Sequence, residues 1–151
     1  MPSSAFDHMP CFSLYAASRA VMQTYRAVLS ETGLTYPQYL VLVALAQSDG
    51  MAVHELGDAM FLDSGTLSPL LRRMEAKGVV TRERQPGDER VVTVALTSEG
   101  RRLRGEVAAA VECLTPAYGL ASYEELAELL DKLHRITDGM TALTATLRNP
   151  T

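Results

Sequence analysis

The stretch MPCFSLYAASRAVMQTY, residues 9–25, sets a thiol, Cys11, at the start of a helix-like segment and flanks it with Tyr15 and Tyr25. Cys11, Tyr15, Ser18, Met22, Tyr25 and Leu29 recur at alternating spacings of four and three, which lines them along one stripe of a helix. A lone cysteine on such a stripe is usually an inert small hydrophobe. It becomes reactive only as the thiolate, the form that attacks a peroxide, and the first turn of a helix is where backbone amides favour negative charge. Phe12, Tyr15, Tyr25, Tyr36 and Phe61 are the aromatic residues from which a pocket around such a thiolate could be drawn. The second cysteine, Cys113, follows 102 positions later, in AAAVECLTPAYG. Two cysteines this far apart are no disulfide scaffold, and no CxxC or Cys/His cluster points to zinc. His8, His54 and His134 are scattered. No metal and no cofactor is expected.

Other chemistry lies in the charges. The 151 residues carry a net charge of −4, with 47% hydrophobic and 21% charged residues, the composition of an ordinary globular domain rather than a disordered chain. Residues 72–104, however, hold nine arginines and lysines against five acids, and sum to +4 where the remainder sums to −8. A basic block in an acidic chain suits a localised phosphate-binding face, because only cations close to DNA displace its counterions. No apolar run approaches the length of a membrane span and the N-terminus lacks a signal-peptide pattern, so a cytoplasmic location and no membrane partner are expected.

Periodicity supplies the elements that would position these groups. After the first helix and the break at TGLTYPQ, Thr35 caps a strongly apolar helix through QYLVLVALAQ, with Pro37 in its first turn; SDG stops it. A short segment AVHELGDAM leads through FLDSGT into LSPLLRRMEAKG, capped by Asp63 or Ser64 and ended by Gly78. Two β-branched runs, VVTRER and RVVTVALT, joined by QPGDE, predict a β-hairpin with Pro86-Gly87 at the centre of a type II turn. Thr97 or Ser98 then caps a helix through EGRRLRGEVAAAVECL, with Cys113 toward its end, and a last long helix follows, interrupted only by Gly139.

The fold class this order predicts is mainly α with a small β-hairpin wing, a winged helix-turn-helix. The second helix of such a unit must carry small polar and basic residues into a major groove. With Leu67, Leu70, Leu71 and Met74 at core spacing, Ser64, Thr66, Ser68, Pro69, Arg72 and Arg73 become the candidate DNA-facing residues. Pro69 removes a hydrogen bond and crowds the Gly65 carbonyl, so it should bend the helix rather than break it. In the hairpin, Arg84 and Arg90 are the candidate DNA contacts, Arg90 in the minor groove with Asp88 steadying its guanidinium.

At this point LDSGTLSPLLRRMEAKGVVTRERQPGDERVVTVALTSEG resembles the MarR family of winged-helix regulators, whose wing carries a D-x-R pattern, here Asp88-Glu89-Arg90. The combination CFSLYAASR, TYPQYLVL and LDSGTLSPLL is similar to the organic-hydroperoxide-sensing, OhrR-like members of that family. The resemblance implies Cys11 as the peroxide sensor, Tyr25 and Tyr36 as the phenols that hold its thiolate, and Tyr15 as a further aromatic of that pocket. It also implies the two-cysteine type, with Cys113 resolving oxidised Cys11 from the opposite protomer. It implies a single domain, with the DNA-binding part over about 32–97 and dimerisation helices over 7–31 and 98–147. On a continuous helix Cys11 and Tyr25 lie about 21 Å apart along the axis, so they can meet only across an antiparallel pair of first helices. The expected partners are therefore a second copy, a pseudo-palindromic double-stranded operator and an organic hydroperoxide as signal. Two other functions fit parts of the sequence. One is a MarR-type repressor released by a small-molecule ligand, with Cys11 structural. The other is a cysteine peroxidase, disfavoured because Arg19 sits about 12 Å along the helix from the thiol, too far to activate it.

Overall fold

The computed structural model describes residues 5–6, 8–85 and 87–148, with only the backbone at 88 and 89. In it the chain divides into two compact units, one running through Glu112 and the other starting at Cys113.

The first unit opens with α1 (Pro10–Leu29), Pro10 occupying the first helical position, where its missing N–H costs nothing. A short 3-10 turn, Ser30–Thr32, ends at Gly33 in the left-handed region, and α2 (Tyr36–Gln47) follows. Thr35 is its N-cap, and its backbone N–H donates to Oε1 of Gln38 at 3.0 Å. A two-residue strand, β1 (Met51–Ala52), leads into α3 (Val53–Met60). The three residues Phe61–Asp63 then turn the chain into α4 (Ser64–Ala76). Phe61 takes φ +53 there with 78% of its surface exposed, an unusual conformation for a bulky side chain.

Asp63 is the cap of α4. Its Oδ1 accepts from the Thr66 amide at 2.9 Å and its Oδ2 from the Thr66 hydroxyl at 2.9 Å. The hydroxyl bond first, then the amide, hold the Asp63 carboxyl below its usual range. The helix runs unbroken through Pro69, whose ring faces solvent. It ends where Gly78, at φ +70, lets the chain reverse, the amides of Gly78 and Val79 closing back on the carbonyls of Glu75 and Met74. The wing is β2 (Val80–Gln85) and β3 (Asp88–Leu96), antiparallel, with β1 on the other side of β3. Its register runs from Val80 opposite Leu96 to Arg84 opposite Val92, then slips so that Gln85 faces Asp88. The connection is thus shorter than QPGDE and irregular at the tip. Pro86, and with it the type II turn, lies outside the described residues.

α5 (Ser98–Glu112) completes the unit, and Thr97 is its cap. Thr97 Oγ1 accepts from the Gly100 amide at 3.0 Å and donates to the Gly78 carbonyl at 2.6 Å, tying the start of α5 to the turn before the wing. The core joins all of these elements. Leu29, Val41, Leu42, Leu45, Leu56, Leu71, Met74, Val94 and Val107 are fully buried, with Leu67, Val79 and Val80 nearly so. Asp49, just after α2, accepts from the Leu96 amide at 2.9 Å and pairs with Arg101 at 2.8 Å. The Leu96 amide first, and Arg101 with it, hold its carboxyl below the usual carboxylate range. This contribution to stability is complete above about pH 4 and is lost as pH falls through the depressed value. Asp49→Asn should therefore unfold about 1 kcal/mol more easily at pH 7 in urea, with the difference shrinking as pH falls below the ordinary carboxylate range. A gap that does not shrink at all on acidification would mean that the carboxylate charge is not its source.

Cys113 is not part of the fifth helix. α5 closes at Glu112, because Pro116 cannot donate a hydrogen bond and its ring would crowd the carbonyl four residues earlier. The second unit starts with exposed Cys113, a 3-10 turn at Thr115–Tyr118, and Gly119 at φ +68. α6 (Tyr123–Arg148) follows, its entry fixed by the Glu125 carboxylate accepting from the Ala121 amide at 2.8 Å, and it continues through Gly139. No residue of α6 is buried. Yet Leu126, Leu129, Leu133, Ile136, Met140, Leu143 and Leu147 alternate at spacings of three and four, a heptad seam. Met140 and Leu147 are 64% and 71% exposed. No helix among the described residues is long and apolar enough to cross a membrane.

Candidate nucleic-acid interface and thiol site

The spacing of α4 dictates which side chains it offers to solvent. Leu67, Leu70, Leu71 and Met74 turn into the core, while Ser64, Thr66, Pro69, Arg72 and Arg73 stand exposed and Ser68 is half-buried. Thr66 spends its hydroxyl proton on the Asp63 cap, which leaves its oxygen lone pairs and methyl group outward. Between α4, α3 and the wing lies a cleft of about 490 Å³. Ser64, Ser68, Arg82 and Arg90 line it, with His54 and Asp58 from α3. Arg84 and Arg90 are exposed on the two wing strands. The pairing expected between Asp88 and Arg90 falls on a side chain outside the described residues.

The basic block of the sequence does not act as one surface. Arg82 is paired with Glu75 at 2.7 Å and Arg101 with Asp49. Arg102 is bracketed by Glu99 and Glu106. Lys77 donates to the Gly33 carbonyl at 3.2 Å. The exposed cations of α4 and the wing are Arg72 and Arg73 on the helix and Arg84 and Arg90 on the strands.

Cys11 is the second residue of α1 and is exposed, as are Phe12, Tyr15, Ser18 and Met22 after it. Only at the far end does the stripe enter the interior, with Tyr25 half-buried and Leu29 buried. The helix is continuous, so Cys11 and Tyr25 are separated by about 21 Å along its axis. The aromatic residues expected around the thiol accordingly fall into separate groups. Phe6, Phe12 and Tyr15 cluster at the start, with the Arg19 guanidinium donating to the Tyr15 hydroxyl at 3.0 Å. Tyr25 and Tyr36 pack edge to face at 4.9 Å, where α1 meets α2. Phe61, in the turn before α4, joins neither group. Sequence reasoning brought Tyr25 and Tyr36 together but overlooked Tyr39, whose ring lies 5.7 Å from Tyr25 and 6.1 Å from Tyr36. The signal was present in TYPQY, since residues three apart share a helix face. Among the described residues no group of His, Cys, Asp and Glu could hold a metal ion.

The family described as transcriptional regulator SarA/Rot matches residues 23–107. The HTH-type transcriptional regulator TtmR of Methylorubrum extorquens is 43% identical over 140 residues, covering 86% of this chain and 70% of that protein. The organic hydroperoxide resistance transcriptional regulator of Bacillus subtilis is 39% identical over 140 residues, covering 88% of this chain and 93% of the relative. Among solved structures, reduced AbfR bound to DNA superposes with a TM-score of 0.77 at 34% identity, over 87% of this chain and 91% of that one. AbfR is a Staphylococcus epidermidis protein. The fold, the family match and these identities agree: the chain belongs to the SarA/Rot and MarR-type winged-helix transcriptional regulators, on the OhrR-like side of that family, and not to an enzyme family.

Proposed function

We propose that this regulator is a repressor that binds a pseudo-palindromic operator as a homodimer while Cys11 is reduced, and releases it when an organic hydroperoxide oxidises that thiol. The observation that carries the reading is the layout of α1. An exposed thiol occupies its N-terminal turn, and the Tyr25–Tyr36 pair sits about 21 Å away at its other end, so a second copy laid antiparallel would bring each thiol to the other's phenols. The exposed stripe of α1 and the heptad seam of α6 both support pairing with a second copy. The relative named for organic hydroperoxide resistance supports the signal, and the DNA-bound AbfR structure supports the partner.

On DNA, α4 enters a major groove with Ser64, Thr66, Ser68, Pro69, Arg72 and Arg73, and the wing carries Arg84 and Arg90 along the adjacent backbone and minor groove. Half-site centres then lie about 10–10.5 bp apart, or a multiple of that. The Cys11 thiolate attacks the distal peroxide oxygen, the O–O bond breaks, and alcohol leaves as sulfenic acid forms. Condensation with the Cys113 thiol of the opposite protomer then gives a disulfide and water.

The test is a gel-shift on the upstream region of the gene, with and without an organic hydroperoxide. Binding by the reduced protein that peroxide relieves is the expected result. Binding indifferent to peroxide would remove the sensing role, and no binding would remove the repressor role as well. In the same assay Arg90→Ala should weaken binding by roughly 1–3 kcal/mol, most on A/T-rich flanks. Equal affinity on every flank would take Arg90 out of the minor groove.

A further inference from the structure

We infer that Arg82 is a positioning residue rather than a DNA contact, and that its ion pair with Glu75 sets the angle between α4 and the wing. The inference rests on the DNA-binding reading and adds to it a residue whose charge alone would suggest phosphate. Arg82 reaches Glu75 through two nitrogens, Nε at 2.9 Å and Nη2 at 2.7 Å, both on Oε2. The two side chains are only 27% and 37% exposed, unlike Arg72, Arg73, Arg84 and Arg90 on the outer faces. Glu75 belongs to the last turn of α4, and Arg82 is the third residue of β2, opposite Val94 of β3.

The pair therefore ties the end of α4 to the middle of the wing. Beyond it the hairpin runs about 10 Å further to Gln85, at roughly 3.3 Å per residue, through an irregular register to Arg90. A small rotation of β2 at Arg82 is magnified at that tip. Because two of the three Arg82 guanidinium nitrogens donate to the Glu75 carboxylate, much of its charge is balanced before DNA arrives. Glu75, an acid close to the proposed interface, would on charge alone weaken binding. On the positioning account it strengthens it, and the two accounts predict opposite signs.

The experiment compares wild type, Glu75→Gln, Arg82→Gln, the double variant and the exchanged pair Glu75→Arg with Arg82→Glu. Two readouts are taken on the full-length reduced protein: operator affinity across a salt series, and hydrogen exchange of the β2 and β3 amides without DNA. Each single variant should bind about fivefold more weakly, with the salt slope unchanged and the double variant no worse than either single. Wing amides should exchange several-fold faster in the singles and recover, with affinity, in the exchanged pair. Tighter binding by Glu75→Gln, or a slope reduced by about one in Arg82→Gln, would make Arg82 a phosphate contact and overturn the inference. Unchanged wing exchange would overturn it too. Faster wing exchange in a protein that binds no DNA in any form would keep the clamp and discard the repressor reading instead.

Discussion

Cys11→Ser should remain on its operator at hydroperoxide concentrations that remove the wild type completely, while binding as tightly as the reduced wild type beforehand. Serine keeps the shape of the side chain and its place in the first turn of α1, but it offers no thiolate to attack the O–O bond. Release of practical use requires at least about a hundredfold loss of affinity, or about 2.7 kcal/mol, all of which the substitution should abolish. The covalent consequence is read separately. After one equivalent of hydroperoxide, the wild type should migrate as a crosslinked dimer on a non-reducing gel, and both Cys11→Ser and Cys113→Ser as monomers. The exposure of Cys113, just beyond α5 rather than within it, leaves its sulfur accessible to a partner in this scheme. If Cys113→Ser still crosslinks, Cys113 does not resolve Cys11. If it stays monomeric yet releases DNA in the presence of a small thiol, the sensor works through Cys11 alone.

Gly100→Ala should destabilise the fold by roughly 2–4 kcal/mol, although alanine is the better helix former by about 1 kcal/mol. Gly100 is buried in the first turn of α5, and a Cβ there would lie 2.1 Å from the Val79 carbonyl oxygen and 3.2 Å from a Leu96 methyl. That carbonyl cannot retreat easily. It accepts from the Thr97 amide at 3.2 Å, and Val79 itself is a core residue at the foot of the wing. Relief must come from moving α5 away from the base of β2, which opens the core between them. Urea unfolding with a lower midpoint and an unchanged denaturant slope is the expected observation. A variant as stable as the wild type would mean that the two elements slide apart without cost.

The elements legible in the sequence were those whose own periodicity is long enough to speak. Leu67, Leu70, Leu71 and Met74 declared the buried face of α4, and the β-branched runs around Pro86-Gly87 declared the wing. β1 did not, because two residues cannot show an alternation; it exists because Met51 and Ala52 find Val94 and Thr93 across the sheet. The chemistry of the charges was legible only as a sum. Glu75 and Arg82 are separated by the Gly78 turn, and Asp49 and Arg101 by most of the winged unit, so folding decides which cations keep their charge for a partner. The same limit applies to the aromatic residues. Tyr25 and Tyr36 meet through the packing of α1 on α2, which no spacing along the chain announces, while Phe6, Phe12 and Tyr15 cluster near the start of α1.

A helix of 26 residues that lends no side chain to any interior has a thermodynamic consequence. An isolated helix gains little from propensity alone, since the cost of nucleation is recovered chiefly by packing. If the packing of α6 comes from a second molecule, ordering that helix and finding a partner are a single event governed by mass action. Its population then rises with the amount of protein made. Through this helix, the fraction of molecules that are fully folded would follow the concentration of the protein.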